Sequence, residues 1–462
     1  MSAINVNSIT GRTGSHGPVL TGVTTISGDL HVGSGLSVTG VSTLSNTVVG
    51  GATTELVVGG DARITGILTI GTGSVTIDGT SGNSSITGVT TVGITSAYIT
   101  SINDLNYPTA GPLSNRNLII NGAMRVAQRG ISSTSSGYHT IDRFLIPMDG
   151  GTFSQSQEDV STSDLPYTND GISKFARITN TTAPPNTTGF RGIRYSFESQ
   201  DLYNSGWQYQ SPTSFVTVSF WVRASVSQKF YTSLEMTNGT SQKYVWGFTP
   251  AANTWTKVTK VIPGFASISL NNDVNLGAHF NIGAFWGTNF TDNGVSEDAW
   301  EAWVTGTRFP DFSTTWKDTA GATFDITGVQ LEVGTRATPF EHENYGQTLA
   351  KCQRYAFVAR QDSAQTGFMN GAMWTSAVFI GVVHYPVTMR AKPDVTIADL
   401  GDLTIFSNGS TDTIDAFVVQ NQGLTATEIS ISLDAGLTGG NSAWARLASG
   451  GSNSKIVFNA EL

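Results

Sequence analysis

Aromatic side chains are almost absent from the first 106 residues of this 462-residue chain. Tyr98 is the single aromatic residue there, whereas all ten tryptophans lie between Trp207 and Trp444. A segment rich in Gly, Thr, Ser and Val buries little apolar surface, which hardly offsets an ordering cost of roughly 1–2 kcal/mol per residue. The sequence therefore predicts an extended N-terminal part that depends on other copies of the chain, followed by an aromatic-rich globular part.

A six-residue unit recurs in the N-terminal part. Its variants are Thr21–Ile26, Thr39–Leu44, Thr65–Ile70 and Thr87–Val92, separated by β-branched runs and glycines. Such runs favour strands, and self-similarity at these intervals favours a fibrous array. A disordered low-complexity linker is the alternative. For residues 21–106 we expect a repetitive β-shaft, an intertwined trimer whose chains share a core and cover one another's strand edges.

The globular part is predicted to be mainly β. Residues 107–112, with two prolines, read as a linker, and strand-like alternation then runs to about residue 343. The clearest strand is Phe215–Ala224, which is apolar at every second position from Val216. Many short strands with Gly and Asn turns predict an antiparallel sandwich over residues 113–343.

One helix is predicted over residues 344–361. Its apolar positions recur at spacings of three and four, and Asn344 can cap it. These positions are Tyr345, Leu349, Cys352, Ala356 and Ala359. The stripe packs either on the sandwich or on its copies around a threefold axis. After the helix, residues 362–462 are again β-type and predict a second, C-terminal β-sandwich.

Composition excludes several classes of partner. The net charge is −9, and no run of Lys or Arg offers the basic surface that nucleic acids need. The single cysteine, Cys352, rules out an intrachain disulfide. The first residues lack the basic and apolar regions of a signal peptide, and no apolar stretch is long enough to span a bilayer. We expect synthesis and retention in a cytoplasm, without membrane insertion.

Two pairs of segments resemble the beginning and the end of a module that is common in phage tail-fibre and virion proteins. Asn117–Gly130 with Tyr138–Phe144 resembles its beginning, and Ile326–Glu341 with Cys352–Tyr355 resembles its end, so the match covers roughly residues 115–360. The Thr-Gly-Val-Thr-Thr repeats are similar to shafts in structural proteins of marine cyanophages. The resemblance implies a jelly-roll fold like that of carbohydrate-binding modules for residues 113–343.

This resemblance implies a virion protein that is made in the host cytoplasm. Residues 1–20 would attach to other virion proteins, and the homotrimeric fibre would bind a host surface glycan through many weak contacts. Host attachment as a tail-fibre adhesin is the first functional hypothesis. A purely structural head or neck fibre, or a capsid decoration protein, is the second. A polysaccharide depolymerase is the third.

The region from Phe285 to Trp316 is the candidate binding site. Sugars present apolar C–H faces that stack on aromatic rings, while amides and carboxylates bind their hydroxyls. The candidate ligand-binding residues are Trp286, Trp300, Trp303, Trp316, Asn289 and Asp292. The alternative for each aromatic residue is a place in the core.

The sequence offers few candidates for catalytic or metal sites. The carboxylates of Glu297, Asp298 and Glu301, and of Glu341 and Glu343, are neighbours in sequence, which is typical of solvated loop charges. No nucleophile elbow, phosphate loop or zinc motif is present, so we expect no enzymatic activity and no cofactor. The resemblance implies one exception, a structural calcium at Asp325.

Overall fold

The computed structural model describes residues 101–102, 105–106, 114–360, 365–397, 399–448 and 455–462. At its start, strands β1 (Ser101–Ile102) and β2 (Leu105–Asn106) form an antiparallel pair. The predicted attachment segment 1–20, the shaft before residue 101 and the linker 107–112 lie outside the described residues. Their trimeric arrangement therefore stays a prediction. No helix among the described residues is long and apolar enough to cross a membrane.

Residues 114–343 form a jelly roll of antiparallel strands. Its strands are β3 (Ser132–Ser133), β4 (Phe144–Leu145), β5 (Met148–Asp149), β6 (Phe153–Asp159), β7 (Lys174–Asn180), β8 (Phe190–Glu198), β9 (Phe215–Ala224), β10 (Phe230–Met236), β11 (Gln242–Phe248), β12 (Thr256–Pro263), β13 (Leu276–Trp286), β14 (Trp300–Ala302) and β15 (Ala322–Val333). Short helices α1 (Leu165–Asp170), α2 (Ser199–Tyr203) and α3 (Thr315–Asp318) connect them, with a 3-10 turn at Thr305–Thr307.

The strands form two sheets over one core. The front sheet has the order β14-β11-β10-β13-β8-β4, with β5 also paired to β8, and the back sheet has the order β12-β9-β15-β7-β6-β3. Side chains from both sheets, such as Leu234 and Phe280 of the front and Phe220 and Leu331 of the back, belong to a single buried cluster. The mainly β, jelly-roll prediction is confirmed.

Strand alternation decides which side chains leave this core. On β10, Phe230 and Leu234 point into the core, so Tyr231, Ser233 and Glu235 lie on the outer face of the front sheet. These polar residues are nonetheless buried, because the segment after β13 folds back over them. The outer face of the front sheet is therefore a covered surface.

The covering segment runs from residue 287 to residue 321. The Phe312 ring meets the edge of Tyr231 with centroids 5.0 Å apart. Gly283, which pairs with Tyr231 across the sheet, makes room for it, since a Cβ there would lie 2.9 Å from Phe312 Cζ. At the other end of the sheet, the Trp303 amide donates to the Ser241 carbonyl over 2.9 Å. The segment is thus fastened to the sheet at two places.

The predicted helix is shorter than its pattern indicated. Helix α4 (Tyr345–Gln353) begins as predicted, with Asn344 Oδ1 accepting from the Gln347 amide over 2.9 Å. It ends before Arg354, because residues 356–360 take ladder hydrogen bonds from a C-terminal strand instead. Of the predicted stripe, Cys352 is buried while Tyr345 is exposed.

The C-terminal domain is a closed barrel with a small sheet beside it, which corrects the predicted C-terminal sandwich. Its strands are β16 (Ala356–Arg360), β17 (Gln365–Met373), β18 (Val378–His384), β19 (Asp394–Ile397), β20 (Leu403–Ser407), β21 (Ser410–Gln422), β22 (Ala426–Leu433), β23 (Ser442–Ala448) and β24 (Lys455–Asn459). Six of them close in the order β17-β18-β22-β21-β20-β23, and β16, β24 and β19 form the sheet. Closure occurs because β17 pairs with both β18 and β23, which leaves no free edge.

Hydrogen bonds join the jelly roll to the three-stranded sheet. Arg129 Nη2 donates to Asn459 Oδ1 over 2.7 Å, and Gln128 Nε2 donates to the Ala356 carbonyl over 2.8 Å. The hydroxyl of Tyr138 donates to the carbonyl of Leu462, the last residue, over 3.1 Å. The C-terminus is thereby held against the jelly roll.

Candidate functional site

Two of the predicted tryptophans belong to the core. Trp286 is 4% exposed and stacks on Phe190 with ring centroids 5.1 Å apart. Trp316 is 0% exposed, and its Nε1 donates to the Thr323 carbonyl over 2.9 Å. Neither ring presents a free face for a sugar, so both tryptophans are core residues and not ligand-binding residues.

Three other predicted residues, Trp300, Asn289 and Asp292, do not line the pocket that contains Trp303. Trp300 is half-buried, with its Nε1 donating to the Pro263 carbonyl over 2.8 Å and its ring parallel to Phe265. Asn289 and Asp292 are exposed, and Asp292 Oδ1 accepts from the Gly294 amide in a local turn. The predicted cluster therefore does not converge on one site.

Trp303 is the predicted residue that lines a pocket. The pocket has a volume of about 260 Å³ and lies on the outer face of the front sheet, under the covering segment. Its lining residues are Arg194, Glu235, Met236, Thr237, Ser241, His279, Trp303 and Arg308. An indole, two guanidiniums, a carboxylate and an imidazole thus surround one small cavity.

The floor of the pocket is set by strand register. Glu235 of β10 faces His279 of β13, and Arg194 of β8 faces Asn281 of β13. These residues share the outward face because side chains alternate along each strand. Arg194 Nε donates to Asn281 Oδ1 over 2.7 Å, and His279 Nδ1 lies 3.0 Å from Ser196 Oγ. The hydrogen bonds hold the floor rigid.

Arg308 forms the wall together with aromatic rings. Its guanidinium carbon lies 4.8 Å from the Trp303 ring centroid, 5.3 Å from that of Trp286 and 5.8 Å from that of Phe290. A cation over an aromatic face is attracted by the ring quadrupole, by about 0.5–2 kcal/mol. Trp286 thus contributes to the pocket indirectly, by positioning the arginine beside Trp303.

The two arginines set the electrostatics of the pocket. Burial, together with the Arg194 and Arg308 guanidiniums, lowers the pKa of His279 from 6.5 to about 3. Burial also lowers the pKa of Arg308, with Glu235 opposing and Arg194 adding to the shift. The imidazole is therefore neutral at physiological pH and can hydrogen bond without adding charge.

Two donors at this pocket are buried without a hydrogen-bond partner. They are Nε1 of Trp303 and Nε of Arg308. A buried donor that makes no hydrogen bond costs about 1–3 kcal/mol, so such groups are expected where an acceptor can be bound. The guanidinium groups of Arg194 and Arg308, which line the pocket, make acceptor oxygens suitable partners there.

Asp325, the predicted calcium ligand, forms hydrogen bonds with two arginines instead. Its carboxylate is fully buried and accepts from Arg177 Nε over 2.8 Å, Arg177 Nη2 over 2.9 Å and Arg223 Nε over 2.9 Å. Guanidiniums occupy the positions that a calcium ion would need, which corrects the calcium hypothesis. Across the described ranges, no group of three or more His, Cys, Asp and Glu side chains is arranged to hold a metal.

The carboxylates considered for catalysis each have a cationic partner. The pairs are Glu297 with Lys229, Asp298 with Lys260, Glu301 with Lys243, Glu341 with Arg116 and Glu343 with Lys351. Burial alone would raise the pKa of Glu301, but hydrogen bonds from Lys243 and Ser296 outweigh it and lower that pKa. A general acid needs a raised pKa, so Glu301 is unsuited to that role.

Several residues of potential function were not singled out from the sequence. Arg194, Glu235, His279 and Arg308 are polar residues inside or beside aromatic-rich strands, and their alternation with core residues is the signal that could have found them. In the barrel domain, Trp374 is 74% exposed and Trp444 36% exposed. No periodicity distinguishes these two from core tryptophans.

Similar solved structures include a phage tailspike domain, a carbohydrate-binding module and a putative sugar-binding protein. The enzymatically active domain of tailspike protein 4 from bacteriophage CBA120 is 11% identical, with a TM-score of 0.27, over 47% of this chain and 21% of that one. A family 11 carbohydrate-binding module of a Clostridium thermocellum cellulosomal cellulase is 12% identical, with a TM-score of 0.23, over 46% and 98%. A putative sugar-binding protein from Bacteroides thetaiotaomicron is 13% identical, with a TM-score of 0.27, over 47% and 99%.

The chain spans about a fifth of the tailspike structure that it matches. Neither a protein-family model nor a curated protein sequence matches it. Similarity at such low identity concerns the fold at most and does not identify a ligand. Any inference about the ligand therefore depends on the chemistry of the pocket.

Proposed function

We propose that this chain is a carbohydrate-binding attachment protein of a tailed-phage fibre, with its glycan site in the Trp303 pocket. The observation that carries the proposal is the combination of one accessible indole with hydrogen-bonding side chains on a rigid sheet face. Sites for small ligands typically combine an apolar wall with a few fixed polar groups. A sugar ring, with its C–H face and its hydroxyl edge, matches both parts.

The polar groups suit hydroxyl recognition. Neutral His279 offers a ring nitrogen, Glu235 offers a carboxylate acceptor, and Arg194 offers guanidinium donors. Serine and threonine hydroxyls at the rim, from Ser241 and Thr237, extend this set. Because the floor residues are hydrogen bonded to one another, little side-chain entropy is lost when a ligand binds.

In this proposal, many copies of the pocket binding weakly at the same time attach the fibre to a cell surface. A pocket of this size buries little of a polysaccharide, so each site binds weakly. A trimeric fibre present in several copies raises the apparent affinity by 10²–10⁴-fold without new contacts. The resemblance of residues 115–360 to tail-fibre modules supports such multivalent display.

The test uses the full-length protein. We expect it to bind cyanobacterial cells and their isolated surface polysaccharides, and we expect Trp303→Ala to weaken that binding at least tenfold. Tyr167→Ala, which removes an exposed aromatic ring on α1 of the same domain, should bind normally. Melting temperatures of both variants control for folding.

Other outcomes would support the competing functions. Binding to purified phage particles but not to cells or polysaccharides would indicate a decoration or neck-fibre protein. Release of reducing ends from the polysaccharide, abolished by Glu301→Gln, would indicate a depolymerase. In either case the attachment proposal is wrong.

A further inference from the structure

The Trp303 pocket has an excess of positive charge. It contains two guanidiniums, those of Arg194 and Arg308, against one carboxylate, that of Glu235. His279 adds no charge at neutral pH because its pKa is lowered to about 3. The adjacent Lys243 is balanced by Glu301, with 2.8 Å between Nζ and Oε2. The pocket is thus one positive charge in excess, in a chain whose net charge is −9.

Glu235 balances the charge of Arg308 only in part. Burial lowers the pKa of Arg308, and the opposing effect of Glu235, although larger than the lowering effect of Arg194, does not restore it. A bound anion would further stabilise the charged guanidinium. Charge-assisted hydrogen bonds between a guanidinium and an anion are roughly twice as strong as neutral ones.

We propose that the pocket selects acidic saccharides by binding the carboxylate of a uronic acid residue. A planar carboxylate matches the planar guanidinium of Arg308, while the sugar ring packs on Trp303. The cavity of about 260 Å³ is smaller than the roughly 300–1,000 Å³ of sites for drug-sized ligands. It therefore accommodates one sugar residue, such as a terminal or branching uronate.

This inference rests on the proposed glycan-binding function, and the experiment separates the two. Oligogalacturonate, oligoguluronate and oligoglucuronate would each be compared with their carboxyl-reduced forms by titration calorimetry on the full-length protein. Each pair differs only in a carboxylate replaced by a hydroxymethyl group. We expect at least one acidic member to bind ten times more tightly than its reduced partner, and raised salt to weaken the difference.

Two variants locate the effect. Arg308→Gln and Arg194→Gln should each abolish the preference for the acidic form. Lys392→Gln, the same charge change at an exposed position of the C-terminal domain, should keep it. Melting temperatures identify a variant that fails only because it unfolds, and either arginine variant alone suffices.

The outcomes are distinct. Equal or tighter binding of the reduced forms overturns the acidic selectivity and leaves glycan binding in place. A preference that persists in both folded arginine variants overturns the role of the pocket in selectivity. No binding by any acidic or reduced oligosaccharide overturns the selectivity and counts against the proposed function as well.

Discussion

Arg143 and Glu461 form an ion pair that is buried inside the protein, although 318 residues separate them in sequence. The two side chains are 0% and 2% exposed. Arg143 also donates to the Ser196 carbonyl over 2.6 Å, and its guanidinium lies 3.4 Å from the ring centroid of Tyr355. The penultimate residue of the chain is therefore part of the jelly-roll interior, and the C-terminal segment is tied to the domain that carries the pocket.

Removing the carboxylate of Glu461 should strongly destabilise the protein. Glu461→Ala leaves the Arg143 guanidinium buried without its counter-ion, and breaking a buried ion pair costs about 3–5 kcal/mol. Urea denaturation would measure this loss. Asp159→Ala is the matched control, since Asp159 pairs with Lys174 at the surface and should contribute less than about 1 kcal/mol. Equal midpoints for both variants would contradict the structural role of Glu461.

Two tryptophans of the covering segment should have different roles, Trp316 in stability and Trp303 in glycan binding. Trp316→Ala removes a fully buried ring and should cost about 3–5 kcal/mol of stability. Trp303→Ala removes a half-buried ring at the pocket and should cost less while reducing glycan binding. Chemical denaturation and binding measured on the same samples would check both statements. A Trp303 variant that binds normally would place the glycan site elsewhere.

Chelators should not affect stability. Because both Asp325 oxygens accept from Arg177 and Arg223, we expect the melting temperature in EDTA to equal that in calcium. Asp325→Ala should lower it, because two arginines lose their shared carboxylate. A fall of several degrees on chelation would instead restore calcium as a structural component.

Acid should weaken the fold partly through His279. Burial and the neighbouring Arg194 and Arg308 lower its folded-state pKa to about 3, whereas the unfolded value is 6.5. The folded state therefore binds fewer protons, so this stabilisation is complete above pH 6.5 and is lost as the pH falls from 6.5 towards 3. Between pH 7 and 4, the melting temperature of the wild type should drop more than that of His279→Gln. His384→Gln, at an exposed position, should behave as the wild type does.

The full-length chain should be a homotrimer. The composition of the repetitive segment is the reason, since the predicted strands of Val, Thr and Gly would bury too little surface within one chain. Light scattering would give the mass directly, with three times the 48.8 kDa of one chain as the expected value. A stable folded monomer at micromolar concentration would rule this out.

Local pattern predicted much of the architecture. Alternation identified β9, and the capping signal at Asn344 identified the start of α4. The same signals could not locate the end of that helix, because residues 356–360 gain more from pairing with β24 than from continuing the helix. Barrel closure could not be predicted from local pattern either. It depends on the pairing of β17 with β23, and these two strands lie far apart in sequence.

What the sequence by itself determined is the division into a repetitive and an aromatic-rich part, the β class, and the concentration of tryptophans near a possible site. Only the tertiary structure decided which of those rings are core. Trp286 and Trp303 lie in the same aromatic-rich stretch of sequence, but the fold buries Trp286 against Phe190 and places Trp303 at a pocket. The pocket itself unites side chains from β8, β10, β13 and the covering segment, whose proximity comes from cross-strand register. Register is a long-range property, because it is set by the packing of whole sheets rather than by the residues beside each position.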